Sequence, residues 1–208
     1  MQELFLKAAL VGDVWVLWLL VAASVASLAV MLDRWRAFRA NRGDSAALMN
    51  AIAARLEKRD LQGALAEARR AGSLEGRVAA AGLEGFAKGP AAVEELMASH
   101  LIQERARLER HLIVLGTLGN NAPFIGLFGT VLGIIKAFHD LAMTGSSGAS
   151  VVMAGVSSAL IATAFGILVA IPAVVANNFF RSRLRQMLSD SESISRVLLA
   201  YLKSEKPR

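Results

Sequence analysis

The sequence contains no cysteine, which excludes a disulfide framework, a thiolate metal site and a cysteine nucleophile. It has one tyrosine and four prolines, and only 19% of its 208 residues are charged, against about 25% in soluble domains. No segment alternates polar and apolar residues, so there is nothing from which to build a half-buried strand. No nucleophile–base pair, metal-ligand cluster or phosphate loop is evident, which argues against an enzyme. The glycines of GLFGTVLG lie inside an apolar stretch rather than at a strand-to-helix turn, so they are no nucleotide fingerprint. His100 and His111 have no companion ligands in the sequence, and a metal site is not expected.

Apolar sequence is what the chain has in excess: 55% of residues are hydrophobic and the mean hydropathy is +0.47. Residues 14–32, 112–135 and 141–180 form runs of 19, 24 and 40 residues without Asp, Glu, Lys or Arg. Crossing about 30 Å of hydrocarbon takes roughly 20 helical residues, so the reading is an integral membrane protein with three spans. Ala22-Ala23-Ser24-Val25-Ala26 resembles a signal cleavage site, but the apolar run continues to Leu32. A signal core is typically about 7–15 residues, so the first run is read as a retained anchor.

The basic residues set an orientation. Of 23 Lys and Arg, 14 fall between Asp33 and His111 and 7 between Arg181 and Arg208, leaving only Lys7 and Lys136 elsewhere. Arg34, Arg36, Arg39 and Arg42 follow the first span; Arg105, Arg107 and Arg110 precede the second; Arg181, Arg183 and Arg185 follow the third. Basic residues at span ends favour the cytoplasmic side, which puts the N-terminus outside and the C-terminus in the cytoplasm. The net charge of +6 is mostly this topology signal. A nucleic-acid surface is a poor alternative, because the basic residues cluster at the ends of the apolar runs, where a topology signal is expected.

The expected division is an outer N-terminal segment (1–12), spans at 13–33, 112–142 and 151–180, a cytoplasmic helical insert (34–111), an outer loop (143–150) and a cytoplasmic C-terminal helix (181–208). In the insert, Asp44 or Ser45 is a good N-cap, and Leu48, Ile52, Leu56, Leu61, Leu65 and Ala68 recur at helical spacing. Gly72-Ser73 and Gly89-Pro90 are breaks. From Ala91 no breaker intervenes before span two, which predicts one long helix. The tail after Phe180 predicts an amphipathic continuation of span three. The fold class is therefore an all-α membrane protein of three transmembrane helices, the second and third extending into the cytoplasm.

Both later spans carry a stripe of small residues. In span two it runs Gly116, Gly119, Pro123, Gly126, Thr130, Gly133, Ala137; in span three, Ala159, Thr163, Gly166, Ala170, Ala173, Asn177. Small residues at this spacing let membrane helices approach closely, and packing is the preferred reading of the glycines. Thr130 and Thr163 have two readings. Each either bonds its own preceding carbonyl or turns its hydroxyl to a helix interface or lumen. Pro123 and Pro172 lack an N–H and free the carbonyls of Gly119 and Leu168, which must be satisfied by neighbours or water. Lys136 reads as snorkelling to the outer headgroups, with an ionisable role in the membrane as the alternative. Asp140, beside His139, falls near the outer mouth, and Asp13 reads as interfacial.

The stretch APFIGLFGTVLGIIKAF (122–138) resembles the signature of the ExbB/TolQ/MotA family of bacterial inner-membrane motor subunits, particularly its ExbB and TolQ branches. The run SALIATAFGILVAIPAVVANNFF (158–180) is similar to that family's third span. The likeness is specific over residues 116–180 without the loop, and architectural elsewhere. It implies a homo-oligomer, a pentamer in the family, whose second and third spans line a pore. Inside the pore it implies two copies of a single-span ExbD/TolR-like partner, whose membrane aspartate carries a proton. It further implies proton-motive force coupled, through a TonB- or TolA-like protein, to work at the outer membrane, with no cofactor. By the same resemblance Thr130 and Thr163 fall on the family's pore threonines, where a ring of five hydroxyls would solvate the partner's carboxylate and pass a proton by way of water. Ser158 stands where ExbB and TolQ usually carry a glutamate, and Asn177 where a tyrosine is usual. Ser158 keeps open a second reading, a non-conducting scaffold that assembles a partner without carrying ions. A substrate permease is disfavoured, since three spans show no inverted repeat.

Overall fold

The computed structural model describes residues 14–144 and 149–204. The expected segment 1–12 with Lys7, together with Asp13, residues 145–148 of the expected outer loop, and 205–208, lies outside the described residues. Every regular element described is helical: α1 (Val14–Ala40), α2 (Ser45–Glu57), α3 (Leu61–Ala71), α4 (Leu74–Glu84), a 3-10 turn at Phe86–Lys88, α5 (Pro90–Glu109), α6 (Leu112–Thr144) and α7 (Ala149–Ser204). Helices α1, α6 and α7 are each long and apolar enough to cross a membrane. The tail beyond Phe180 continues α7 as one element of 56 residues. Contacts divide the chain into two units, one of residues up to Asp33 with His111–Asn178, the other of Arg34–Arg110 with Phe179–Arg208.

In the first unit, α1, α6 and α7 pack around Val16, Leu20, Ala122, Leu132, Val169 and Ala170, joined by Ala23, Ile125 and Phe165. Val16, Leu20, Ala23 and Ser27 recur on one side of α1, the helical spacing for a single buried stripe. The outward faces are large and apolar: Trp18, Phe124 and Leu168 are each more than 60% exposed. Water would penalise such surface heavily; lipid or neighbouring membrane helices would not.

The second unit owes its short helices to local signals. Asp44 caps α2 by accepting from the Ala47 N–H at 3.0 Å, and Ser73 caps α4 by accepting from Gly76 at 3.3 Å. Gly72 ends α3 in the left-handed region (φ +62), which a residue without Cβ adopts readily. Gly89 (φ +88) stops the 3-10 turn, and Pro90 begins α5, where its missing N–H is harmless. One further break lies between Leu56 and Leu61. Arg59 takes a positive φ of 57, and Asp60 caps α3 by accepting from Gly63 at 2.8 Å. Leu48, Ile52, Leu74, Val78, Val93, Met97 and Leu108 are buried in this unit. Phe38 and Phe180 stack with ring centroids 5.2 Å apart.

The single helix expected from Ala91 through span two is instead two, interrupted at Arg110–His111. The buried Arg34 supplies the reason. Its Nη1 donates to the carbonyls of Leu108 at 3.2 Å and Arg107 at 3.5 Å. Those are the acceptors that a continuing helix would offer four residues on.

Candidate functional site

The stripes of α6 and α7 lie face to face and antiparallel. A Cβ placed on Gly116 would sit 3.6 Å from the Asn177 side chain, and one on Gly119 would meet Val174 Cγ2 at 2.6 Å. Farther along, one on Gly133 would meet Ala159 Cβ at 2.6 Å, and one on Gly155 would meet Ala137 Cβ at 2.5 Å. The closest approach of backbones is at Gly126 and Gly166. A Cβ on Gly126 would lie 2.6 Å from the Ala162 oxygen, and one on Gly166 would lie 2.6 Å from the Ala122 oxygen. Only residues without side chains allow this crossing. Gly129 lies off the stripe, where a Cβ would meet both Ala162 and Val16 of α1.

One turn beyond the crossing, Thr130 is 92% buried, at 8% exposure, and Thr163 is half-buried. The Thr130 Oγ1 lies 3.2 Å from its own helix's Gly126 carbonyl and 3.2 Å from the Ala159 carbonyl of α7. It also makes a direct hydrogen bond with Thr163 Oγ1. Both readings of Thr130 are thus present together. Its single proton has two carbonyl acceptors and the Thr163 oxygen within reach, and either hydroxyl can donate to the other. Two hydroxyls and two carbonyls from facing helices form a small polar knot where α6 and α7 pack. Such a knot can accept or donate a hydrogen bond to a guest by rotating a hydroxyl, with no change in charge.

The other candidate residues are placed differently. Ser158 is exposed and stands five residues before Thr163, about 140° round an ideal helix and about 7.5 Å along it. Within one chain it therefore does not join the threonine pair. Pro123 is half-buried and Pro172 exposed, both inside unbroken helices. Pro172, nine residues from Thr163, lies about 180° from it on an ideal helix, on the far face of α7. Lys136 and Asp140 are half-buried, one turn apart on α6 beyond the crossing.

One polar contact escaped the sequence. His111 Nδ1 lies 2.9 Å from Asp33 Oδ2, a contact between residues 78 apart that no local pattern announces. Asn177, already on the span-three stripe, brings its amide opposite Gly116 at the far end of the span-two stripe. In the second unit Arg77 acts as a hub. It grips Glu104 through Nε and Nη2 at 3.0 and 2.7 Å, Asn41 Oδ1 at 2.7 Å and the Gly72 carbonyl at 2.7 Å. Burial would raise the Glu104 carboxyl, but the Arg77 hydrogen bond and charge, with the charges of Arg107 and His100, outweigh it. Glu104 is held below the ordinary carboxylate range.

Comparison with known proteins places these residues among relatives. The chain is 41% identical over 96 residues to the Tol-Pal system protein TolQ of Pseudomonas aeruginosa, which covers 46% of this chain and 42% of that one. It is 47% identical over 87 residues to the biopolymer transport protein ExbB of Pseudomonas putida, covering 41% and 26%. To the biopolymer transport protein ExbB of Aquifex aeolicus it is 39% identical over 92 residues, covering 44% and 62%. In each case the chain spans less than two thirds of the relative's length. A model of the MotA/TolQ/ExbB proton channel family matches residues 70–193, which takes in the whole α6–α7 crossing. With more than half of its length so matched, and relatives named TolQ and ExbB, the chain belongs to the MotA/TolQ/ExbB proton channel family, on its ExbB/TolQ branch.

Proposed function

We propose that the chain is a stator subunit of an ion-driven motor in the bacterial inner membrane, assembled as a homopentamer whose second and third spans line a pore. In this reading the N-terminus is periplasmic, residues 34–111 and the C-terminal helix are cytoplasmic, and the pore holds a single-span ExbD/TolR-like partner. The partner's membrane aspartate carries a proton past the ring of Thr130–Thr163 pairs, and the motion is passed to a TonB- or TolA-like protein. The observation that carries the reading is the mid-span hydroxyl pair in a chain of this family. The pair offers a carboxylic acid hydrogen-bond partners in both its charged and neutral forms, and a hydroxyl needs no desolvated charge of its own to do so. Glycines 116, 119, 126, 133 and 166 serve helix contact, and Lys136 and Asp140 mark the outer mouth.

A second reading, a non-conducting scaffold, is favoured by Ser158. No carboxylate of this chain stands where the branch usually carries one, and Ser158 is turned about 140° from the threonines. The test is reconstitution of the chain with its partner in liposomes, with mass measurement of the complex and a pH-gradient assay. Five copies with two partner chains and collapse of the gradient support the motor. A complex that stays proton-tight under activating conditions selects the scaffold.

A further inference from the structure

Where α1 and α7 leave their uncharged runs, the second unit carries an open groove of about 680 Å³. Its floor is the stacked pair Phe38 and Phe180, with Trp35 and Phe179 beside it, each 54% exposed. Arg39, Arg42 and Arg183 complete the lining, and no carboxylate is among the lining residues. Arg183 shares one bond, to the neutral Gln186 side chain at 2.8 Å. Arg39 and Arg42 are exposed, and neither has a carboxylate within ion-pair distance among the described residues. Three arginines converging on aromatic rings, with no counter-charge, leave a site for a phosphate.

The sequence places that phosphate. The uncharged runs end at Leu32 and Phe180, so Trp35 and Phe179 lie within one turn of where each chain segment leaves hydrocarbon. Aromatic rings at that level sit among lipid headgroups, and arginines there attract anionic lipid. We infer that this groove binds the phosphate headgroup of an anionic phospholipid, the rings bracketing the glycerol and upper acyl chains. The site is separate from the threonine seam and holds whether or not the complex conducts.

The test uses the full chain, purified as its native oligomer, with lipid retention measured by native mass spectrometry. Phosphatidylglycerol and phosphatidylcholine of identical chains are the probes, and sn-glycerol 3-phosphate is the soluble competitor. Preferential retention of phosphatidylglycerol is expected, weakened about fivefold by each of Arg39→Gln, Arg42→Gln and Arg183→Gln. Arg69→Gln, a basic change elsewhere in this unit, should leave retention unchanged, and glycerol phosphate should not displace the lipid. Equal retention of the two lipids overturns the inference, as does an undiminished Arg39→Gln/Arg42→Gln variant. Displacement by glycerol phosphate alone overturns it too, since the site would then be one for soluble phosphate. If the double variant fails to assemble, the single Arg42→Gln decides: a fivefold loss supports the site and no loss removes it.

Discussion

Gly126 and Gly116 lie on the same stripe of α6, yet alanine should affect them in opposite directions. At Gly126 the added methyl would meet the Ala162 oxygen at 2.6 Å, Thr163 Cα at 3.0 Å and Gly166 Cα at 3.2 Å. All three are backbone atoms of α7, so no rotamer change relieves the clash and the helices must move apart by most of an ångström. Overpacking of this kind costs about 1–3 kcal/mol, against a gain of about 0.5–1 kcal/mol for alanine over glycine inside a helix. At Gly116 the nearest atoms belong to the Asn177 side chain at 3.6 to 3.8 Å, an ordinary contact, so only the gain remains. Thermal unfolding of the detergent-solubilised protein should show Gly126→Ala lowered by a few degrees and Gly116→Ala unchanged or raised, at about 2–4 °C per kcal/mol. Gly126→Leu should prevent assembly altogether. Equal melting of the two alanine variants, or a normal oligomer carrying Gly126→Leu, would refute the close-contact argument.

Glu104→Gln should lower stability at neutral pH by about 1.5–3 kcal/mol, the worth of a charge-assisted hydrogen bond. Because the folded carboxyl is depressed, its contribution is complete above the ordinary carboxylate range and lost as pH falls through the lower folded value. The variant should accordingly lose less stability on acidification, and superimposable melting-versus-pH curves would contradict this. Arg34→Met removes the donor to the Arg107 and Leu108 carbonyls and should also cost about 1.5–3 kcal/mol by denaturant titration; a loss below about 0.5 kcal/mol would rule out the clamp. Asp60→Ala removes the cap on Gly63 and should cost about 1 kcal/mol, an effect absent if the cap is idle.

The membrane helices were legible because crossing a bilayer demands a length of uncharged sequence that nothing else demands. The helix-contact stripes were legible for a related reason: glycine repeated at steps of three and four has few other uses in an apolar helix. The misjudged boundaries have causes outside their own windows. The interruption at Arg110–His111 follows from Arg34, more than seventy residues earlier, and the Asp33–His111 contact is equally distant. The break before Leu61 did have a local signal, Asp60 as N-cap, which was masked by apolar spacing on both sides. At the site, shared small-residue stripes brought Thr130 and Thr163 into consideration together. They did not reveal that Thr130 also reaches the Ala159 carbonyl, since which atoms of α7 face Thr130 depends on how the two helices pack.

In the proposed motor, the paired hydroxyls of Thr130 and Thr163 hydrogen-bond the partner's carboxyl group as it carries protons through the pore. The most direct measurement of that role is proton flux into liposomes holding the chain with its partner, comparing valine and serine at each position. Valine keeps the shape and removes the hydroxyl, while serine keeps the hydroxyl and removes a methyl. Thr130→Val and Thr163→Val should assemble normally and lose flux by about tenfold or more, with both serine variants close to wild type. Valine variants that conduct like wild type, or serine variants as impaired as valine, would contradict that role.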